Sequence, residues 1–255
     1  MTTNERSDTF IVGRNPVLEA LKSGKPIEKI FFLFGVQGGS VGKIRHVAKQ
    51  RGILCADVGR EKFEEMVGDA PAQGVAALAA EKSYVDVDDI LAVANSRREA
   101  PFLLVLDEIE DPQNLGALIR TAECAGVHGV VIPKHHAAHV SAAVGKASAG
   151  ASEHMSVAKV TNIAACLDEL KEAGVWVVGA APEGVKIFTE IDYSMPVAVV
   201  IGSEGKGLRK LVREKCDFLV KIPLFGKVES LNASVAGALL MYEVVRKRGK
   251  FSSVR

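Results

Sequence analysis

The chain is poor in aromatic side chains, which make up 5% of its residues, and it has a single tryptophan, Trp176. Cysteine is scarce and scattered: Cys55, Cys124, Cys166 and Cys216 form no CxxC pair. That spacing excludes a zinc ribbon and argues against a disulfide framework; it fits reduced, core-filling thiols in a cytoplasmic protein. No apolar run reaches the length a membrane span requires. The opening MTTNERSDTF is polar and lacks the apolar centre of a signal peptide. An excess of one charge is also missing. Lys and Arg number 32 against 31 Asp and Glu, a net +1, so the whole-chain charge argues neither for nor against a nucleic-acid partner.

What is present is an ordinary globular balance, 48% hydrophobic and 25% charged, in 255 residues. That length suits one large domain or two smaller ones. The positive charge is clustered at Lys206, Arg209, Lys210, Arg213 and Lys215, and again at Arg246, Lys247, Arg248 and Lys250. Each cluster reads equally well as a phosphate-attracting patch or a solvated helix face.

The pattern divides the chain. Residues 1–8 read as a disordered lead, and 8–83 as a small α/β domain of alternating short elements. Within it, residues 35–42 contain four glycines and read as a mobile loop. Residues 84–100, acidic and then polar up to Pro101, read as a linker. Residues 101–250 alternate strand and helix, the pattern of a parallel sheet covered on both faces. Near its end two strand-to-helix turns follow one another. One is glycine-rich (202–207); the other is an irregular apolar loop (223–231) leading into a helix that opens at Asn232. Ligands of parallel sheets bind beyond the strands' carboxyl ends, so both turns point to one pocket.

Three familiar motifs do not fit. Gly202, Gly205 and Gly207 give GxxGxG, the reverse of a dinucleotide fingerprint and late in the chain. Gly205-Lys206 is followed by Gly207 where a phosphate-binding loop needs Ser or Thr. His135 and His139 would share a helical face beside His136, yet no carboxylate completes a zinc set, so they read as loop or helix-start residues. In the stretch LDEIEDPQNLGALIRTAECAG, Asn114 stands where a helix N-cap belongs and Arg120 lies on the helix that follows. From the residues alone, Asn114 is as readily a plain cap and Arg120 a solvated or ion-paired side chain.

A resemblance sharpens these readings. NLGALIRTAECAG, IGSEGKGL and IPLFGKVESLNASVA resemble, in order, motifs one, two and three of the SpoU/TrmH family of RNA 2′-O-methyltransferases. KASAGASEHM resembles that family's stretch between motifs one and two, and IVGRNPVLEAL resembles the substrate-binding domain that precedes the catalytic domain in one branch. The resemblance implies a parallel-sheet methyltransferase domain ending in a deep trefoil knot. It also implies a small α/β RNA-binding domain before it, similar to ribosomal proteins that bind RNA kinks. Carried over residue by residue, it makes Asn114, Arg120, Glu204, Ser230 and Asn232 the catalytic set. Gly202, Ser203, Gly205, Ile222, Pro223, Leu224, Leu231 and Ser234 become the residues that hold S-adenosylmethionine. No position departs from the catalytic pattern. The expected substrate is ribosomal RNA, closest in wording to the enzymes that modify a 23S guanosine, with transfer RNA as the alternative. The expected assembly is a homodimer, with no metal. A non-catalytic RNA-binding protein of the same fold is the alternative from another class.

The chemistry suits those residue types. A ribose hydroxyl is a weak nucleophile, so the protein must chiefly align it and help remove its proton. Arginine grips phosphate bidentately, and Asn and Ser orient a hydroxyl without adding charge.

Overall fold

A computed structural model describes residues 10–23, 27–68, 70–79 and 84–249. The disordered lead expected over 1–8 and the basic residue Lys250 lie outside them. The chain forms two compact units, Met1–Lys82 and Ser83–Arg255.

The smaller unit contains β1 (Phe10–Val12), α1 (Arg14–Lys22), β2 (Ile27–Leu33), α2 (Gly39–Gln50), β3 (Leu54–Val58), α3 (Arg60–Val67) and β4 (Val75–Ala79). Its sheet runs in the order β1-β4-β2-β3, with β4 antiparallel to both neighbours and β2 parallel to β3. Ile30, Phe32, Val75 and Ala77 on the sheet bury one face against Val17, Leu21, Ile44 and Ala48 of α1 and α2. Phe63 and Val67 of α3 cover the other.

The larger unit opens with α4 (Val87–Arg97), then β5 (Phe102–Asp107), α5 (Pro112–Cys124), β6 (Gly129–Pro133) and α6 (Ala142–Ala147). Next come β7 (Val157–Val160), α7 (Ile163–Glu172), β8 (Trp176–Ala180), a two-residue β9 (Lys186–Ile187) and β10 (Val197–Gly202). The unit closes with α8 (Lys210–Lys215), β11 (Phe218–Lys221) and α9 (Ala233–Lys247). Seven strands form one sheet, β7-β6-β5-β10-β8-β11-β9, and every pair in it is parallel. Strands buried on both faces should be apolar, and β5, β6 and β10 are, save for the aspartate that ends β5: FLLVLD, GVVIP and VAVVIG. One face packs on α5 and α9 through Leu115, Leu118, Leu240 and Val244. The other packs on α4, α7 and α8 through Ile90, Leu167, Leu170 and Val212.

The segment read as a linker differs from its expectation. Residues 87–97 are the helix α4, opened by a capping box between Asp86 and Asp89. Its Ile90 and Ala94 are fully buried, and Val85 pairs with Ala158 beside β7. Apolar residues at Ile90 and Ala94, four apart, give the helix a face that the sheet covers, so 84–100 belongs to the larger unit. The strand β9 was not anticipated; two residues carry no periodicity. All four cysteines are free thiols, and burial pushes Cys166 and Cys216 up to about 12.

Candidate active site

β5 and β10 lie side by side and end together, with Gly202 opposite Asp107. From this edge the chain leaves β5 through 108–111 into α5, and leaves β10 through the turn 203–209.

The start of α5 corrects the cap assignment. Asp111 is the N-cap, its Oδ1 accepting from the Gln113 N–H at 3.0 Å, with Pro112 in the first turn. Proline is favoured there because the missing N–H has no partner anyway. Asn114 is therefore inside the helix, 8% exposed, with its amide released for tertiary contacts.

At α9 the cap is Asn232. Its Oδ1 accepts from the N–H groups of Ser234 (2.9 Å) and Val235 (3.3 Å) and from Ser234 Oγ (2.5 Å). Capping fixes which end of the amide faces the helix, so Nδ2 must point outward. It donates to Asn114 Oδ1 at 2.9 Å and to Glu204 Oε1. Asn114 Nδ2 donates to the same Glu204 oxygen at 2.9 Å, and the Ala233 N–H reaches it at 3.3 Å. One carboxylate oxygen thus gathers N–H groups from the starts of two helices. Asn114, Glu204 and Asn232, one from each motif, form a closed triangle of hydrogen bonds.

The turn bearing Glu204 folds back on itself, the Gly207 N–H donating to Ser203 O at 2.9 Å. A Cβ at Gly202 would stand 2.2–2.4 Å from the backbone of Gly207 and Leu208, so no other residue fits. Beneath the turn, Asp107 is fully buried. It receives the Arg209 guanidinium at 2.7 Å (Nε) and 2.6 Å (Nη2), and the Arg209 backbone N–H at 2.8 Å. Arg209 also lies 3.4 Å from Glu108, whose backbone takes φ +61°. A cavity of about 200 Å³ opens here, lined by Glu108, Glu110, Asp111, Asn114, Ser203, Glu204 and Lys206. Asp107, Glu108 and Arg209 were not anticipated as a group. Their one sequence signal is an aspartate ending a strand that is otherwise wholly apolar.

The remaining candidates are dispersed around this cluster. Ile222 and Pro223 are half-buried at the end of β11; Gly205, Leu224, Ser230 and Leu231 are exposed. Arg120 lies six residues past Asn114, about 120° around the helix, exposed and without a hydrogen bond or ion pair to any described residue. The geometry joins neither Arg120 nor Ser230 to the triangle. The basic cluster after the turn is largely neutralised: Arg213 pairs with Glu183, Lys215 with Asp168 at 2.6 Å, and Lys210 with Glu214 at 4.0 Å. Among the described residues no group of three His, Cys, Asp or Glu could hold a metal, and His135, His136 and His139 stand in an irregular loop, not on a helix.

The segments around the triangle suit an adenosyl sulfonium ligand. Gly202 leaves backbone without side chain at the turn. Ile222, Leu224 and Leu231 present apolar surface from a loop free to offer its peptide groups, and carboxylates line the neighbouring cavity, complementary to positive charge.

Comparison with known proteins identifies the family. The SpoU rRNA methylase family model matches residues 101–242, and the model for RNA 2′-O ribose methyltransferase substrate binding matches residues 10–85. The chain belongs to the SpoU methylase family. It is 48% identical over 239 residues to a Bacillus subtilis protein described as a TrmH family tRNA/rRNA methyltransferase, covering 94% of this chain and 96% of that protein. A Staphylococcus aureus protein of the same description is 45% identical over 241 residues, covering 94% and 97%. Among solved structures, the SpoU methyltransferase AviRb of Streptomyces viridochromogenes in complex with AdoMet superposes with a TM-score of 0.66 at 25% identity, covering 94% of this chain and 90% of that one. An AdoMet-bound rRNA methyltransferase of Sinorhizobium meliloti gives 0.67 at 25% identity, covering 93% and 87%. The chain is thus an RNA 2′-O-ribose methyltransferase that uses S-adenosylmethionine.

Proposed function

We propose that the substrate is a guanosine ribose of 23S ribosomal RNA, methylated in the cytoplasm by a homodimer that needs no metal. The hydrogen-bonded triangle of Asn114, Glu204 and Asn232 is the observation that carries the catalytic reading. A protein that merely binds RNA has no use for three distant motifs locked on one carboxylate oxygen. The rRNA target is supported by the small α/β domain and the wording of motif one. The names of the relatives keep transfer RNA as the second reading.

Bound S-adenosylmethionine supplies a methyl group already electrophilic on its sulfonium. Gly202, Ser203, Gly205, Ile222, Pro223, Leu224, Leu231 and Ser234 are the residues proposed to hold it. Glu204 ties the 202–207 turn to the start of α9 and so keeps the two ligand-bearing segments at fixed separation. Asn114 and Ser230 orient the ribose hydroxyl. Arg120, placed around the helix from the triangle, is suited to gripping the phosphate beside the target ribose, where a planar fork matches two oxygens. No side chain of the set need supply Lewis acidity. Dimerisation is supported by the half-exposed Val235, Leu239 and Tyr242 of α9, which line a groove of about 640 Å³ together with Ala117 and Thr121 of α5.

The test is to incubate the protein with methyl-labelled S-adenosylmethionine and, separately, 23S rRNA, 16S rRNA and bulk tRNA, then map the labelled ribose. Label on a 23S guanosine is expected. Label on tRNA alone would move the substrate to the second reading. Cofactor binding by calorimetry with no labelled RNA would defeat the catalytic assignment.

A further inference from the structure

The smaller unit contains one aromatic residue out of place. Phe32 and Phe63 are buried, and Phe10 and Phe31 pack on each other with ring centroids 6.0 Å apart. Phe34 is 72% exposed. An exposed phenyl ring adds little to folding, since it stays in water in both states.

Its seat is nonetheless firmly built. Phe34 directly follows β2, and its backbone N–H donates to Val58 O of β3 at 2.9 Å. It is itself part of a turn that closes through the Val36 N–H on Leu33 O at 3.0 Å. Val36 then lies flat on Gly74, where an added Cβ would stand 2.7 Å from Val36 Cγ2. The loop is therefore held against the start of β4 directly after the exposed ring.

The same end of the sheet carries a cation. β1 and β2 both run antiparallel to β4, so their carboxyl ends meet the start of β4. Arg14 follows β1 there. Its Nε donates to Gln73 O at 2.9 Å, and its Nη1 reaches to 3.1 Å from where a Gly38 side chain would begin, in the loop that follows Phe34. No carboxylate neutralises Arg14 among the described residues. Arg45, by contrast, is occupied: it pairs with Asp57 and lies over the buried Phe32 ring at 3.9 Å. An exposed aromatic face and an unneutralised guanidinium thus lie at the same end of the sheet. Every nucleobase offers a π face, and every nucleotide carries a phosphate.

We propose that Phe34 is a stacking platform for an unpaired base of the RNA substrate, with Arg14 taking the adjoining phosphate. The inference rests on the RNA-methylating reading above and deepens it. Stacking demands a base splayed out of a helix, so the contact selects loops and bulges over continuous duplex. It acts on substrate binding and not on the methyl transfer, because Phe34 lies outside the catalytic motifs.

The test uses the full chain and two fluorescein-labelled RNAs: a hairpin with a five-nucleotide bulge, and the fully paired duplex of the same length. Wild type should bind the bulged hairpin more tightly than the duplex. Phe34→Ala should weaken hairpin binding about tenfold, the scale of a lost base–aromatic stack, while duplex binding stays within twofold. Phe34→Trp should restore the hairpin preference. In a Trp176→Phe background, the indole introduced by Phe34→Trp should be quenched by the hairpin and not by the duplex. With 23S rRNA as substrate the Phe34→Ala loss should fall in KM and not in kcat. Equal binding of the hairpin by wild type and Phe34→Ala, or no quenching, overturns the proposal even if wild type methylates RNA normally. Failure of wild type to methylate any RNA defeats the catalytic reading alone, because the binding and quenching arms need no turnover.

Discussion

At the scale of single residues, the site turns on which atoms a side chain commits elsewhere. Asn232 uses Oδ1 as a helix cap, which leaves Nδ2 for Asn114 and Glu204. Asn232→Asp keeps the cap but exchanges a donor for a second carboxylate facing Glu204. Asn232→Ser keeps a cap without the charge. We expect Asp to lower stability by about 1–3 kcal/mol and Ser by less, read from urea midpoints. The reverse order would mean that the cap, and not the triangle, is what Asn232 contributes. Arg120 is the opposite case, a side chain with no structural commitment. Arg120→Lys should leave the urea midpoint within about 0.5 kcal/mol and cofactor affinity intact. It should slow single-turnover methylation about a hundredfold, as a point charge replaces a planar fork. A rate within a few-fold of wild type would remove Arg120 from the catalytic set. Asn114, Glu204 and Asn232 were singled out only through the likeness of their short, contiguous motifs to the family's; from the residues alone Asn114 read as a helix cap. The pairing of Asp107 with Arg209 was not legible, since nothing local marks residues 102 positions apart as partners.

At the scale of elements, periodicity placed the strands of the larger sheet well, because strands buried on both faces read as continuous apolar runs. It failed where polarity masked structure. Residues 84–100 looked like a linker because Asp86, Asp88 and Asp89 dominate the start of α4, yet acidic residues in a first turn favour a helix. Ile90 is where the misreading has a measurable consequence. It is fully buried between α4 and the sheet, so Ile90→Ala should cost about 2–5 kcal/mol. A fragment starting at residue 84 should unfold cooperatively and bind S-adenosylmethionine. One starting at residue 101 would expose the apolar surface that α4 covers and should unfold at lower urea or aggregate. Equal midpoints for the two fragments would show that α4 is dispensable. The basic helix α8 taught the converse lesson. Its cations looked available for phosphate, but Arg209, Arg213 and Lys215 are each met by a carboxylate contributed from elsewhere in the fold.

At the scale of the whole molecule, the threading implied by the family likeness leaves no trace in hydrophobic pattern, because periodicity reports which face is buried and not the order in which segments pass. A candidate assembly surface, in contrast, lies on α9. The helix buries Leu240, Met241 and Val244 in the core, while Val235, Leu239 and Tyr242, spaced four and three apart, remain 47%, 41% and 42% exposed. That stripe is a second apolar face, of the kind that marks a protein contact. The groove beside it is lined by Ala117 and Thr121, which flank Arg120 on α5. A second copy seated there would place its own chain next to Arg120, so assembly and catalysis should fail together. In a two-fold dimer each stripe meets its equivalent, and Leu239→Arg would bring two cations into one apolar interface. Wild type should scatter light as twice the 27.1 kDa chain mass, and Leu239→Arg as the single chain. The variant should still fold, since residue 239 faces away from the core, but should methylate RNA at least tenfold more slowly. A wild-type monomer at micromolar concentration would sink the dimer. A monomeric variant with full activity would separate assembly from the chemistry at Arg120.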